Sequence, residues 1–165
     1  MAVKTMLKSI ALAALVASAF SAARAESCAV PVGAQAEIAK AIAATNAERR
    51  ARGLPELKVS SALTKAAQGH ACAMVRTDTF SHRLAGSSGP KARIRAAGCR
   101  TTLAAENIAM GYSSAEATMA LWMKSSGHRR NILLRGVTSV GIALAAPRPG
   151  QGGGPRWVQV FAKGC

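Results

Sequence analysis

The spacing of apolar residues changes along this chain from a helical period to a strand-like alternation. Up to about residue 133, most apolar positions recur every three or four residues. Beyond residue 136, two apolar runs, VTSVGIALAA and RWVQVFAKG, flank the Gly- and Pro-rich stretch PRPGQGGGP, which predicts a hairpin. A third extended run, AAENIAMGY, lies in the middle of the chain. This order of elements, with helices first, one strand in the middle and a hairpin last, predicts an α+β domain.

The helical part divides into several segments. A first helix is predicted over residues 33–52, and a second begins at Ser60 or Ser61, either of which can cap it. Pro90 opens a short third helix that stops at Gly98. The second helix has an inward stripe at helical spacing: Leu63, Ala66, Ala67, His70, Ala71 and Met74.

A fourth helix is predicted to begin at a capping box. Ser113 and Glu116 have the S-x-x-E spacing, which gives Glu116 a structural role as a cap. The helix ends at the SSGH stretch, which we interpret as a glycine hinge that leads into a further helical turn, RRNILL. The inward face of this helix is predicted to carry Ala117, Ala120, Leu121 and either Trp122 or Met123.

The N-terminus is typical of an export signal. Lys4 and Lys8 precede the apolar run IALAALVASAF, and the sequence ARA then fits a small-x-small cleavage site. We therefore expect residues 1–25 to be a signal peptide and residues 26–165 to be one secreted or periplasmic domain without a transmembrane span. An uncleaved anchor is the alternative.

The remaining domain is strongly basic. Loss of Lys4, Lys8 and Arg24 lowers the net charge from +15 to +12. This charge favours anionic partners such as lipid head groups, acidic glycans or teichoic-type polymers, or it is dispersed over the surface of a soluble monomer. Nucleic acid is not predicted, because the sequence has six aromatic residues and no basic patch interleaved with them.

Four cysteines lie in the exported part: Cys28, Cys72, Cys99 and Cys165. In an oxidising compartment they suggest two disulfides with three alternative pairings, and no CxxC pair indicates a zinc or redox motif. The simplest arrangement is a clasp between the chain ends and an internal bridge, so we favour Cys28–Cys165 and Cys72–Cys99.

Few residues are suited to chemistry. His70 lies on the apolar stripe and is interpreted as a buried packing residue, whereas His82 and His128 lie where loops present side chains. Glu106 lies in the apolar setting LAAENIAM, where an ionised carboxylate needs a His or Arg partner. The chain has no H-E-x-x-H, G-x-S-x-G or Walker motif, so no catalytic residue is assigned from sequence.

Several short motifs, in this order, resemble the CAP superfamily of cysteine-rich secretory, insect antigen and plant pathogenesis-related proteins, in its bacterial SCP-like branch. They are FSH, RIRAAGC, ENIAMG, ALWMKSSGHRRNIL, VTSVGIAL and WVQVFA, and they cover nearly the whole exported part. The resemblance implies a three-layer α-β-α sandwich with a small antiparallel sheet, stabilised by disulfides.

The resemblance also implies a central cleft of two histidines and two glutamates that binds a divalent metal in some members. By motif, these positions fall on His82, Glu106 and His128. The second glutamate does not carry over, because Met123, Lys124 and Ser125 follow the helix tryptophan. The remaining residues suit a weak zinc site or a polar network without metal. No cofactor is required by this interpretation.

Three functions remain open at this stage. The resemblance favours a binding module for lipid, sterol or anionic envelope components, with no established enzymatic activity. The alternative is a divalent-metal-dependent hydrolase, in which His82, Glu106 and His128 hold zinc and activate water. A structural or toxin-like protein with an unused cleft is the third.

Overall fold

A computed structural model describes residues 28–86 and 89–165 of the chain. The predicted signal peptide, residues 1–25, lies outside the described residues. The elements, in chain order, are α1 (Ala34–Arg50), β1 (Lys58–Val59), α2 (Ser61–Thr77), α3 (Pro90–Ala96), β2 (Ala104–Met110), α4 (Ala115–Lys124), α5 (Ser126–Ile132), β3 (Ser139–Ala145) and β4 (Arg156–Ala162).

The four strands form one sheet in the order β1-β3-β4-β2. β3 and β4 form the predicted hairpin, in which Ser139 lies opposite Ala162, and β2 pairs antiparallel with the other edge of β4. Between α1 and α2 the stretch LKVS contains the short strand β1, which the sequence patterns did not predict and which pairs parallel with β3. The sheet is therefore antiparallel as predicted in its three long strands, with one parallel pair added.

Helices cover both faces of the sheet. Trp157 and Phe161 of β4 pack in one core with α1, α4 and α5, whereas Val158 and Val160 pack in a second core with α2 and α3. Because successive side chains of a strand point to opposite faces, one strand supplies both cores. This arrangement is the predicted α-β-α sandwich.

Helix α2 lies directly on β3. The Ser60 hydroxyl accepts a hydrogen bond from the Leu63 amide at 3.4 Å and caps the helix, and the whole predicted stripe of α2 is buried. A Cβ atom at Gly141 of β3 would lie 2.2 Å from the Thr64 backbone nitrogen. Glycine at this position therefore allows the close approach of the helix to the sheet.

The start of α4 differs from the prediction by one residue. Ser114, not Ser113, is the cap, and its hydroxyl accepts from the Ala117 amide at 3.2 Å. The carboxylate at this helix start comes from α1, because Glu37 Oε2 accepts from the Ala115 amide at 2.7 Å, and Glu116 is exposed. The prediction of a Ser113–Glu116 box was wrong, and the inward face shifts accordingly. The buried residues of α4 are Ala115, Thr118, Met119 and Trp122.

All four cysteines form disulfides, but the favoured pairing was wrong. The bonds are Cys28–Cys72 and Cys99–Cys165. The sheet explains the second bond, because β2 and β4 are antiparallel and the segment before β2 therefore lies beside the segment after β4. The first bond joins α2 to the N-terminal segment, which is held near the end of β3 by a hydrogen bond from the Ala146 amide to the Ala29 carbonyl at 2.8 Å.

Across the described ranges, none of the helices combines the length and apolar character that crossing a membrane requires.

Candidate functional site

Glu106 of β2 is the centre of a buried charge cluster. Glu106 as a whole is 6% exposed to solvent. Carboxylate oxygen Oε1 accepts a hydrogen bond from His82 Nδ1 at 2.9 Å, and Oε2 accepts one from Arg93 Nη2 at 2.5 Å. His70 Nε2 lies 3.8 Å from Oε1. The prediction that this carboxylate needs a His or Arg partner is confirmed, and it has both.

These partners decide the charge of Glu106. Burial alone raises the pKa of the carboxyl, but the hydrogen bond from His82 and the charge and hydrogen bond of Arg93 outweigh it and hold the pKa below its usual value. Glu106 is therefore an ionised acceptor at neutral pH. A carboxylate with this environment does not act as a general acid.

His70 positions the loop that carries His82. It is 1% exposed, as expected for a packing residue, and its Nε2 donates to the Ser81 carbonyl at 3.0 Å. Burial lowers the pKa of His70 and favours the neutral ring, in which Nε2 carries the proton. The Ser81 hydroxyl donates to the Arg83 carbonyl at 2.8 Å and closes the loop around His82.

His128 is presented by α5, but the hinge is not at the glycine. The chain breaks at Ser125, which ends α4 and precedes α5, and Gly127 lies inside α5. Asn107 Nδ2 donates to the His128 carbonyl at 3.1 Å and fixes the first turn of α5 against β2. Asn131 Nδ2 donates to the Asn107 side-chain oxygen at 2.9 Å and adds a second anchor.

The His128 ring has one nitrogen, Nδ1, that is both enclosed and without a hydrogen-bond partner among the described residues. Burial and the nearby His82 lower the pKa of His128, so the ring is neutral at neutral pH. A buried ring nitrogen without a partner costs free energy in the folded state.

The two histidines line one open cleft of about 570 Å³. Its described lining residues are Phe80, Ser81, His82, Arg83, Ile108 and His128. Phe80 is 44% exposed at the rim, and Ile108 is buried at the base. This lining contains one arginine, two imidazoles and no carboxylate, because Glu106 lies behind His82 and is neutralised there by Arg93.

The predicted metal ligands do not fit a resident divalent ion. Among residues 28–86 and 89–165, His, Cys, Asp and Glu side chains form no group of three or more with metal-binding geometry. Both oxygens of Glu106 are engaged by His82 and Arg93, and a metal ion in this place would face the Arg93 guanidinium. The zinc site is implied by the resemblance alone.

Sequence reasoning found His82, Glu106 and His128 but missed their supports. Arg93 lies in the quoted motif RIRAAGC, where nothing distinguishes it from its neighbouring arginine. Asn107 and Asn131 are buried or half-buried amides whose partners lie on other elements. No local pattern distinguishes these asparagines, because their partners come from distant parts of the chain.

A small disulfide-stabilised α-β-α domain with a His-lined cleft is the class that this geometry defines. The chain belongs to the CAP, or cysteine-rich secretory protein, family, whose model matches residues 42–161. It is similar to protein YkwD of Bacillus subtilis, with 32% identity over 122 residues; the match covers 74% of this chain and 45% of YkwD. The chain thus spans about half the length of that curated relative.

Solved structures have the same fold. An outer surface protein of Borrelia burgdorferi superposes with a TM-score of 0.71 at 19% identity, over 78% of this chain and 93% of that chain. An extracellular protein of Bacillus anthracis that contains an SCP domain gives a TM-score of 0.71 at 25% identity, over 79% and 41% of the two chains. The two disulfides are consistent with export of this chain.

Proposed function

We propose that this protein is an exported binding module that holds an anionic lipid of the cell envelope in the cleft between Phe80 and His128. One observation carries the proposal: the described lining of the cleft combines apolar surface with an arginine and two imidazoles, and it has no carboxylate. Such a lining accepts an acyl chain or ring together with an acid group. Sterols and acidic polymers are the alternatives from the sequence.

The arrangement supports binding better than hydrolysis. Glu106 is ionised and bonded to His82 and Arg93, and it is not among the described residues that line the cleft. No other described carboxylate approaches His82 or His128 within ion-pair distance. The metal-dependent hydrolase is therefore not favoured by any described contact.

Vesicle co-sedimentation of residues 26–165 tests the proposal. We expect binding to phosphatidylglycerol vesicles to exceed binding to phosphatidylcholine vesicles, and Phe80→Ser together with His128→Gln to weaken it. Val59→Ser is the control. Val59 is 60% exposed on β1, at the edge of the sheet opposite β2, and the substitution removes an exposed apolar side chain outside the cleft.

Three outcomes would contradict the proposal. Equal loss in the Val59→Ser control would assign binding to general surface hydrophobicity. A requirement for cholesterol in neutral vesicles would assign the cleft to sterols. If the variant with Phe80→Ser and His128→Gln bound vesicles or teichoic-type polymer as strongly as the wild type, the binding site would be the basic surface outside the cleft.

A further inference from the structure

A second cavity, of about 520 Å³, lies at the end of the sheet where β3 begins and β4 ends. None of its described lining residues lines the cleft. It is close to the edge strand β1, through Lys58, whereas Glu106 lies on β2 at the opposite edge. The two cavities are therefore separate sites on one domain.

Arg49 provides a buried positive charge to this cavity. The residue is 1% exposed, and its Nε donates to the Pro55 carbonyl at 2.9 Å. Its Nη1 donates to the carbonyls of Ile132, at 2.9 Å, and Leu134, at 3.0 Å. Nη2 has no hydrogen-bond partner among the described residues. It is also not one of the described polar atoms that are buried without a partner, so it keeps some accessible surface. Because Arg49 lines the cavity, we infer that Nη2 is open to it.

The charge of Arg49 is not compensated by a carboxylate. It takes part in none of the ion pairs of the described chain, and the neighbouring cations Lys58 and Arg135 take part in none either. Glu56 also lines the cavity but pairs with Arg50. A buried guanidinium held by carbonyls alone is costly, and an anion in the cavity would lower that cost.

We propose that this cavity is a binding site for a small organic carboxylate. The acid group accepts a hydrogen bond from Arg49 Nη2 and is flanked by Lys58 and Arg135, since a charge-assisted hydrogen bond is stronger than a neutral one. The apolar body of the ligand packs against Leu54, Pro55 and Val137, which line the same cavity. The volume is in the range of small-molecule sites.

Amide chemical-shift titration of ¹⁵N-labelled residues 26–165 with benzoate tests the proposal, with benzamide as the uncharged isostere. We expect saturable shifts at residues 136–139 with benzoate, none with benzamide, and no shift at His82. Lys58→Gln with Arg135→Gln should weaken benzoate binding by roughly tenfold or more. Arg49 is left intact because it holds three backbone carbonyls.

Lys91→Gln with Arg95→Gln is the matched control, since it removes the same charge from the exposed side of α3 and should change the dissociation constant by no more than about twofold. The absence of a saturable shift at residues 136–139 would overturn the proposal. So would equal weakening in the two double variants, equal binding of benzamide, or tighter binding of inorganic phosphate than of benzoate at the same amides.

Discussion

Arg93 determines whether Glu106 can be buried as an ion. Arg93→Met leaves the carboxylate with only imidazole partners, and we expect a loss of about 3 kcal/mol in the free energy of unfolding, because one member of a buried pair is removed. Combining Arg93→Met with Glu106→Gln should restore part of that loss, since the unpaired charge is then absent. Urea denaturation of both variants measures the difference.

Arg95→Met is the control for this experiment. Arg95 is exposed on the same short helix and should cost no more than about 0.5 kcal/mol. Equal losses at Arg93 and Arg95 would show that helix α3, and not the ion pair, is what the substitutions disturb.

The same cluster predicts how stability depends on pH. His70 and His128 have folded-state pKa values below 6.5, and Glu106 has one below 4.5. A depressed folded-state pKa contributes stability above the unfolded-state value, and this contribution is lost as the pH falls. We expect the melting temperature to fall below about pH 6.5 and more steeply below about pH 4.5.

Glu106→Gln separates the two ranges. Its melting temperature should keep the decline near pH 6 and lose most of the steeper part near pH 4, because the Glu106 carboxylate is absent. The part that remains is expected from Glu37, whose pKa is also lowered, by the hydrogen bonds from Lys40 and the Ala115 amide. Thermal scans from pH 7.5 to 3.5 measure both profiles, and an unchanged slope near pH 4 in the variant would exclude Glu106 as the titrating group.

The site residues show what sequence alone can predict at this scale. His82, Glu106 and His128 lie in short motifs whose order is informative. In the structure, His82 and His128 line the cleft, and Glu106 accepts a hydrogen bond from His82. Arg93 lies 13 residues from Glu106 on another element, among 22 Lys and Arg residues in the sequence. Spacing does not indicate which cation reaches the carboxylate; the packing of α3 against β2 decides it.

At the scale of single elements, the adjacent serines before α4 test which residue caps the helix. Ser114→Ala should lower the free energy of unfolding by about 1 kcal/mol, because the Ala117 amide loses its acceptor. Ser113→Ala is the control and should cost less than about 0.5 kcal/mol. Urea denaturation compares the two, and a larger effect at Ser113 would support the capping box that the sequence suggested.

The sequence could not distinguish these serines because the deciding contact is long-range. A capping box is a local pattern, and Ser113 with Glu116 satisfies it. The carboxylate at the helix start instead comes from Glu37, 78 residues earlier in the chain. The same limit applies to β1, whose two residues have no strand periodicity and are ordered by pairing with β3.

Glycine has opposite roles in two contacting elements. Gly141→Ala would place a Cβ 2.2 Å from the backbone of α2, where neither backbone can yield, and we expect a loss of about 3 kcal/mol or more. Gly69→Ala, in the middle of α2, meets no atom within 4 Å and should stabilise the protein by about 1 kcal/mol. Denaturation midpoints of the two variants should therefore move in opposite directions.

At the scale of the whole molecule, the sandwich places the two proposed ligand sites near opposite edges of the sheet. The cleft is built from α5 and the loop after α2 near the edge strand β2, whereas the second cavity is formed where α1 ends and β3 begins, near β1. The central strands β3 and β4 are buried along their whole length and keep the two edges at a fixed distance. Helix α5 connects the two sites, because it carries His128 of the cleft and its Ile132 carbonyl accepts a hydrogen bond from Arg49 of the second cavity.

The disulfides connect this rigid centre to the ends of the chain, and their pairing gives a test that does not depend on stability. In the Cys28→Ser/Cys72→Ser variant the other bond remains, so thiol titration of the denatured, unreduced protein should find no free thiol. The Cys28→Ser/Cys165→Ser variant leaves Cys72 and Cys99 without their partners and should give two. The pairing favoured from sequence predicts the reverse result. That pairing rested on the positions of the cysteines along the chain, whereas antiparallel β2 and β4 bring residues 99 and 165 together. Each native bond closes a loop, of 44 or 66 residues, and its loss should cost about 4 kcal/mol of unfolding free energy in the chain-entropy view.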